Sequence, residues 1–431
     1  MLRGGHGRVR GIGLTVPPDV PLARLEVPDL EHGLREKLIR ADRLRPGDRA
    51  AHSTTIYGVS LSGDMTDTVL GHAGNGYPDA SIELDELTRV SLPWAGLEAV
   101  IGDVVDHHGD PVGVSPRTMV QNLVERFGAL GLAPVLGFEY EVWVFEADAG
   151  RDLPLPARLA RAGAMSDLVA ELARRMAAIG HPLSAVRSEA HAGFIEVSIA
   201  HGPALHAADG AARARRYLAE LCAERDLIAS FMAKPFGGRE GAAGHVHASL
   251  ERDGVNLFAG GELTAEAAGF VAGLVDSLPD LTLMFNPHVN SFKRIDPRMW
   301  VPTSASWGYD DRRAACRVVL RPDASARVEH RRGGADANPY VSASAVLAGG
   351  IDGLERDLAL PQPRLPSRRT VPVSLGEAIA AFEDSSFVDR LLPRRFAEAF
   401  AATRRAELAR YRAWLDENIT PFELARHVER A

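Results

Sequence analysis

Four short segments of this chain have the composition of β-strands and place charged or imidazole side chains on one strand face. The first is residues 137–145, where side chains alternate so that Glu139 and Glu141 point to the same side. Two neighbouring carboxylates repel unless a cation lies between them. A solvent-exposed face is the simpler interpretation. Because Trp143 and Phe145 continue that face, the strand is also a candidate metal site.

Three further segments repeat this arrangement. They are residues 188–197, with Glu189 and Glu196 around a bend at Gly193; residues 244–250, with His245, His247 and Ser249 on one face; and residues 327–331, with Arg327, Glu329 and Arg331 on one face. Strands of one sheet could bring these side chains together. Five glutamates and one or two histidines make an oxygen-rich set that favours Mg²⁺ or Mn²⁺ over zinc. Arginines around such a site indicate phosphoryl transfer.

Composition excludes several other classes of protein. The 431 residues are 46% hydrophobic and 25% charged, which is typical of a globular protein of two or three domains. The net charge of −8 argues against nucleic-acid binding. We also expect no membrane span and no secretory signal, since long apolar runs are missing. Two cysteines far apart exclude a disulfide framework and favour the cytoplasm.

The organisation along the chain predicts two parts. Residues 54–112 are rich in Gly, Asp and Thr and are typical of short strands and turns. Ser115 and Pro116 then begin an amphipathic helix, as cap and first helical residue. We therefore predict domains at 1–112 and 113–431. A charged stretch at residues 31–41 is predicted to be helical, and the last 35 residues a long helix followed by a short one.

Five motifs in order resemble those of the glutamine synthetase superfamily. They are residues 137–141 (G-x-E-x-E); residues 188–196, with two acids around Gly193; Lys234-Pro235 followed by residues 241–247 (GAAGHVH); residues 286–294 (NPHVNSFKR); and residues 327–331 (RVEHR) with residues 337–340 (ANPY). The resemblance extends from about residue 54 to the end of the chain.

The resemblance implies a role for each matched residue. It implies one metal ion at Glu141, Glu189 and Glu196, and a second at Glu139, His245 and Glu329. It implies that Gly241, Arg294 and Arg331 bind glutamate, that Arg312, Arg317 and Arg327 face the ATP phosphates, and that His247 and Ser249 lie near the nucleotide. Arg312, Arg317 and Glu329 are the implied catalytic residues.

The fold implied by the resemblance is α+β, with a small N-terminal β-grasp domain before a large α/β catalytic domain. The implied cofactors are ATP and Mg²⁺ or Mn²⁺. The implied activity joins the γ-carboxylate of glutamate to an amine through a γ-glutamyl phosphate. The implied assembly is a homo-oligomeric ring, a hexamer or a dodecamer.

One departure from the family pattern concerns the amine. Glutamine synthetases carry a flap glutamate after the NSYKR run, and Trp300 takes its place here. Indole donates one hydrogen bond and accepts no proton. An aromatic side chain could instead pack an alkyl or aryl amine, or face a cationic one. The segment 306–312 also resembles the branch that ligates glutamate to larger amines, such as the γ-glutamylpolyamine synthetases. We therefore favour a primary amine over ammonia.

Two alternatives remain open. The protein could be a true glutamine synthetase, or a non-catalytic relative with a structural or sensing role. Smaller departures concern the acid substrate: Phe194 stands where Gln is usual, Glu240 where Asn is usual, and Asp311 beside Arg312 where Asn is usual. They leave open whether the acid is plain glutamate.

Overall fold

A first sheet is formed by five strands. The computed structural model describes residues 21–147 and 162–428. The strands are β1 (Leu22–Pro28), β2 (Leu34–Arg40), β3 (Arg49–Ser53), β4 (Asp79–Leu92) and β5 (Leu97–Val105). They lie in the order β2-β1-β5-β4-β3. β1 runs parallel to β5, and the other pairs are antiparallel. Leu25, Val27 and Ile101 are buried on this sheet and form its core.

The predicted helix at residues 31–41 is wrong, because most of this stretch is strand β2. β2 lies at the edge of the first sheet, and its charged residues include Arg35, Glu36 and Lys37. Charged side chains are common on edge strands, where they prevent pairing with other chains. In the sequence alone, a run of charged residues of this kind is equally typical of an exposed helix.

The second sheet carries the four polar segments. Its strands are β6 (Ala133–Glu146), β7 (Leu183–Ser188), β8 (Phe194–Pro203), β9 (Leu227–Ser230), β10 (Gly244–Arg252), β11 (Val255–Asn256), β12 (Trp307–Tyr309), β13 (Cys316–Val319) and β14 (Arg327–His330). The main order is β12-β13-β14-β10-β6-β8-β7, with β11 paired to β10 and β9 to β6. Strands β14, β10, β6 and β8 are therefore consecutive neighbours.

Helices pack around the second sheet. They are α1 (Pro116–Ala129), α2 (Ala162–Ala178), α3 (Ala204–Ala223), α4 (Ala265–Phe285), α5 (Val289–Lys293), α6 (Pro339–Glu355), α7 (Leu375–Glu383), α8 (Ser386–Leu391), α9 (Arg394–Glu417) and α10 (Pro421–His427). The predicted helix start is confirmed: Ser115 Oγ accepts from Thr118 N, and Pro116 is the first helical residue. The long and short C-terminal helices are confirmed as α9 and α10.

Helix α4 is long and apolar enough to cross a membrane, but 83% of its most apolar window is buried inside the protein. It packs against α6. A Cβ on Gly273 of α4 would lie 2.0 Å from the carbonyl oxygen of Gly349, so the backbones approach too closely for any larger residue. This contact identifies α4 as a helix of the protein core.

Buried polar contacts join the first sheet to the rest of the chain. The fully buried Arg117 on α1 binds Asp85 and Asp103 of the first sheet, at 2.6 and 2.5 Å, and Asp209 of α3 at 2.8 Å. Asn338 caps α6 and also donates to the carbonyl of Asp29 at 2.8 Å. Part of the ANPY motif therefore serves structure.

The α+β class with a small N-terminal β domain is confirmed. β5 ends at Val105 and α1 begins at Pro116, so the predicted boundary at 112/113 falls between two elements. The division into 1–112 and 113–431 stays a prediction.

Candidate active site

Strand register brings the first acidic cluster together. In the antiparallel pair β6–β10, His245 lies opposite Glu139, and in the pair β10–β14, His247 lies opposite Glu329. His245 Nδ1 lies 3.1 Å from Glu139 Oε1 and 3.3 Å from Glu329 Oε1. His247 Nε2 lies 3.6 Å from Glu139 Oε2. The implied ligands Glu139, His245 and Glu329 are thus in mutual contact.

Both histidines are candidates for a ligand in this cluster. Ligand atoms of Glu139, His247 and Glu329 all lie within 4.8 Å of one another. His245 Nε2 is buried and has no hydrogen-bond partner within the described residues, and such a nitrogen fits a metal ion. The role of His245 stays a prediction, and the structure adds His247 as a second candidate.

Imidazole hydrogen bonds and arginines hold this first cluster ionised. Burial opposes ionisation of Glu139, but hydrogen bonds from His245 and His247 outweigh it, so its pKa lies far below the usual range. Burial also opposes ionisation of Glu329. The pKa of Glu329 is nevertheless lowered to about 2, because it lies near His245, Arg331, His247 and Arg317.

The second acidic cluster lies on the same face of the sheet. Glu141 of β6 is paired with Glu196 of β8, and Glu189 lies just before the bend at Gly193, whose φ is 69°. Ligand oxygens of the three glutamates lie within 4.8 Å of one another. Arg187 donates to Glu189 Oε1 at 2.9 Å and to Glu196 Oε2 at 2.6 Å. Three carboxylates in this arrangement fit Mg²⁺ or Mn²⁺.

Two carboxyls of the second cluster, those of Glu141 and Glu196, resist ionisation. Burial raises the pKa of Glu141 to about 7, although Arg294 and the amide of Ala243 oppose the shift. Burial and the charge of Glu139 raise the pKa of Glu196 to about 8, against the effect of Arg187. A divalent cation would remove this repulsion.

Arginines lie on the β14 side of the first cluster. Arg317 donates to Glu329 Oε2 at 2.7 Å, and Arg327 donates to His247 Nδ1 at 3.0 Å. Arg312 is exposed, and its carbonyl accepts from Arg331 Nε at 3.1 Å. Arg327, His247 and Ser249 line a cavity of about 180 Å³. Arg327, His247 and Ser249 therefore lie beside one another, and Arg317 contacts the first cluster through Glu329.

The residues predicted to bind the acid substrate form a third group. A Cβ at Gly241 would lie 2.6 Å from Arg294 Cγ, so only glycine fits against this side chain. Burial lowers the pKa of Arg294 to about 10, with Glu141 opposing the shift. Arg331 contacts Glu329 through NH1. Both guanidinium groups therefore lie next to the acidic clusters.

Trp300 lies on the segment that takes the place of the family's flap. Its side chain is 61% exposed and its φ is 59°, a conformation uncommon for a bulky residue. Arg332 NH1 donates to the carbonyl of Pro302 at 2.7 Å. Arg332 follows directly after Arg331. This hydrogen bond therefore connects the segment that contains Trp300 to the residues just after β14.

Sequence reasoning missed several side chains near the clusters. Arg187 bridges two glutamates of the second cluster, and His191 Nε2 lies 2.8 Å from Glu240 Oε2. Phe194 is buried and stacks on Trp143 at 4.2 Å, which explains why that strand face is apolar beyond Glu141. Two features of the sequence could have indicated these residues: the alternation of side chains along β7 for Arg187, and the unusual Glu240 for His191.

A larger cavity lies elsewhere. Its volume is about 930 Å³, and its walls come from β2, α3, α9 and neighbouring loops. None of the predicted site residues is among the described residues that line it, so size alone does not locate the chemistry of this protein.

Comparisons with known proteins agree with the motifs. The family profile described as "Glutamine synthetase, catalytic domain" matches residues 113–427. A glutamate–isopropylamine ligase from a Pseudomonas species is 29% identical, with 95% of each chain covered. A glutamine synthetase from Halobacterium salinarum is 30% identical over 82% of this chain and 83% of its own.

A solved structure is similar along nearly the whole chain. It is titled as a GmaS/ADP complex and superposes with a TM-score of 0.80 at 26% identity, covering 95% of this chain and 97% of the other.

Proposed function

This chain belongs to the glutamine synthetase family, and we propose that it is an ATP-dependent ligase joining the γ-carboxylate of glutamate to a primary amine. The observation that carries the proposal is the pair of acidic clusters on one sheet face, bordered by arginines, with a tryptophan in place of the family's proton-accepting glutamate. The curated name of the Pseudomonas relative describes the same type of reaction.

The proposed reaction has two steps. The γ-carboxylate of glutamate attacks the terminal phosphorus of ATP, which releases ADP and leaves γ-glutamyl phosphate. The amine nitrogen then attacks the γ-carbon, phosphate leaves, and an amide remains. The amine must be neutral to attack, so it loses a proton first. The first step is needed because a carboxylate is a poor electrophile until it is phosphorylated.

Each group of residues has a proposed part in this reaction. Glu141, Glu189 and Glu196 would hold one divalent ion, and Glu139 and Glu329 with His245 or His247 a second. Bound ions supply charge neutralisation at the phosphates. Arg312, Arg317 and Arg327 bind the phosphate oxygens, because guanidinium groups pair well with oxyanions. Glutamate is positioned by Gly241, Arg294 and Arg331. The nucleotide lies beside His247 and Ser249, and the amine packs against Trp300.

An amine panel tests the proposal. ADP release is measured with glutamate and ATP in the presence of ammonia, alkylamines, aminoalcohols and diamines, and mass spectrometry identifies the γ-glutamyl amide. We expect an alkylamine to give the highest kcat/KM. Ammonia as the best substrate would instead make the protein a glutamine synthetase. Nucleotide binding without turnover of any amine would indicate a non-catalytic relative.

We further propose a homo-oligomeric ring of six or twelve subunits, working in the cytoplasm with Mg²⁺ or Mn²⁺. The two cysteines, Cys222 and Cys316, are free and buried, which is compatible with a reducing compartment. Native mass spectrometry measures the subunit number, and a monomer would contradict the ring.

A further inference from the structure

The exposed side chain of Trp300 contacts the guanidinium group of Arg313. The guanidinium carbon of Arg313 lies 5.5 Å from the centre of the indole ring. This distance is within the range of a cation–π interaction, worth about 0.5–1 kcal/mol at an exposed site. The contact supports a side chain whose φ of 59° is otherwise unfavourable.

Both partners are held at the end of the site strand β14. Arg331 Nε donates to the carbonyl of Arg312, directly before Arg313, at 3.1 Å. Arg332 NH1 holds the segment of Trp300 through Pro302 at 2.7 Å. Two consecutive residues that directly follow β14, Arg331 and Arg332, therefore hold the segments that carry Arg313 and Trp300.

The charge of Arg313 is not neutralised by a neighbouring acid. Asp311 accepts from Arg364 at 2.8 Å, Asp310 from Arg317 at 2.9 Å, and Asp296 from Arg298 at 2.7 Å. Arg313 forms no ion pair with any acid in the part of the chain that the structure describes. The indole and the free guanidinium together present a surface that is apolar and positive.

We propose that Arg313 selects the amine substrate by the charge of its tail, and that the substrate is a monoamine with a neutral or carboxylate-bearing tail. This inference rests on the proposed ligase function. A second ammonium group on the substrate would be repelled by the charge of Arg313. A neutral tail packs on the indole, and a carboxylate pairs with the guanidinium.

Four amines of matched length test the inference: n-butylamine, 4-amino-1-butanol, putrescine and 4-aminobutyrate. Their kcat/KM values are compared per concentration of the species whose reacting amine is neutral, so that differences in amine pKa cancel. For unit charges about 6 Å apart, Coulomb repulsion corresponds to a factor of about 3 at the dielectric constant of water and about 100 at an effective value of 20. The smaller factor is the lower bound. We expect putrescine to be used less well than n-butylamine by at least that factor.

The variants Arg313→Gln and Arg313→Glu should both raise the putrescine-to-butylamine ratio, Arg313→Gln by about threefold or more and Arg313→Glu by a larger factor. Arg394→Gln is the matched control: it removes an equal charge from an exposed ion pair on α9 and should leave the ratio unchanged. A wild-type preference for putrescine, or a ratio unchanged in both Arg313 variants, would overturn the inference while leaving the ligase function intact. Absence of turnover with every amine, including ammonia, would overturn the ligase function and the inference together.

Discussion

The two acidic clusters begin only two residues apart on β6, at Glu139 and Glu141, yet their charges are balanced differently. Around Glu139 and Glu329 lie His245, His247 and several arginines, and the pKa values of both carboxyls are lowered. Around Glu141 and Glu196, burial and mutual repulsion dominate, and the pKa values rise to about 7 and about 8. The neighbouring cations Arg187 and Arg294 are not sufficient to reverse this.

Because of this difference, we expect metal removal to affect the stability of the two clusters unequally. The carboxylates of the first cluster are stabilised by hydrogen bonds from imidazoles and by arginines of the same chain, so its geometry does not need an added ion. The second cluster is destabilised as long as its carboxylates face each other without a divalent cation. Metal binding should therefore act on the stability of the protein mainly through the second cluster.

The largest expected effect is on catalysis, where the two clusters should be equally essential. Glu329→Ala and Glu196→Ala should each lower the rate of ADP release by about a thousandfold or more, because charge neutralisation at the phosphates contributes several kcal/mol. Glu83→Ala, at an exposed position of β4, is the control. If either variant kept a tenth of the wild-type rate, its cluster would not be part of the catalytic site.

In the metal-free protein, removing one carboxylate should shift the thermal midpoint in opposite directions for the two clusters. Glu139→Gln should lower the thermal midpoint in EDTA, since it removes an ion-paired carboxylate worth about 1–3 kcal/mol. Glu196→Gln should raise the midpoint, since it removes a buried charge that lacks sufficient partners, a gain of about 1 kcal/mol. Saturating Mg²⁺ should reverse the advantage of Glu196→Gln. Shifts of the same sign in EDTA would remove the distinction between the clusters.

The sequence predicted the members of both clusters but not their opposite balance. Alternation along a strand places Glu139 and Glu141 on one face, and this follows from local geometry. Which carboxylate lies near which imidazole depends on the pairing of β6, β10 and β14, strands far apart in sequence. Register between distant strands is set by the whole sheet, so the sequence left open whether one or both histidines are ligands.

The fold shows the same division between local and distant information. The start of α1 was predictable because Ser115 and Pro116 act within one helical turn. The edge strand β2 was mistaken for a helix because its polar residues carry no signal of their neighbour β1. Arg313 was not singled out either, because its contact with Trp300 joins two separate loops.

The pH dependence of stability gives a finer comparison. A carboxyl whose pKa is raised in the folded protein contributes stability below its unfolded value, near 4.5, and loses it as the pH rises through the folded value. For Glu141 and Glu196 this window extends from about 4.5 to about 7 and about 8. Glu139 and Glu329 behave in the opposite way, losing stability only as the pH falls below about 4.5.

In EDTA, the thermal midpoint of the wild type relative to Glu196→Gln should therefore fall between pH 5.5 and pH 8, by the equivalent of about 1 kcal/mol or more. Bound Mg²⁺ should abolish this slope. Because the charge of Glu139 helps to raise the pKa of Glu196, Glu139→Gln should lose less stability than the wild type over the same range. A flat difference for Glu196→Gln would mean that its carboxyl titrates normally in the metal-free protein.

The smallest expected effect concerns Arg187, whose side chain is 62% exposed and bridges Glu189 and Glu196. A divalent ion must compete with this guanidinium for the same oxygens. Since exposed ion pairs contribute at most about 1 kcal/mol, Arg187→Gln should raise the Mn²⁺ affinity of one site by about threefold and leave the other unchanged. Titration of the metal-free protein followed by electron paramagnetic resonance measures both sites. Arg252→Gln, which breaks an exposed pair with Glu266 far from the clusters, should change neither. A lower affinity in Arg187→Gln would mean that the arginine orients the carboxylates for the metal, and the second cluster would then depend on its own cation as the first does.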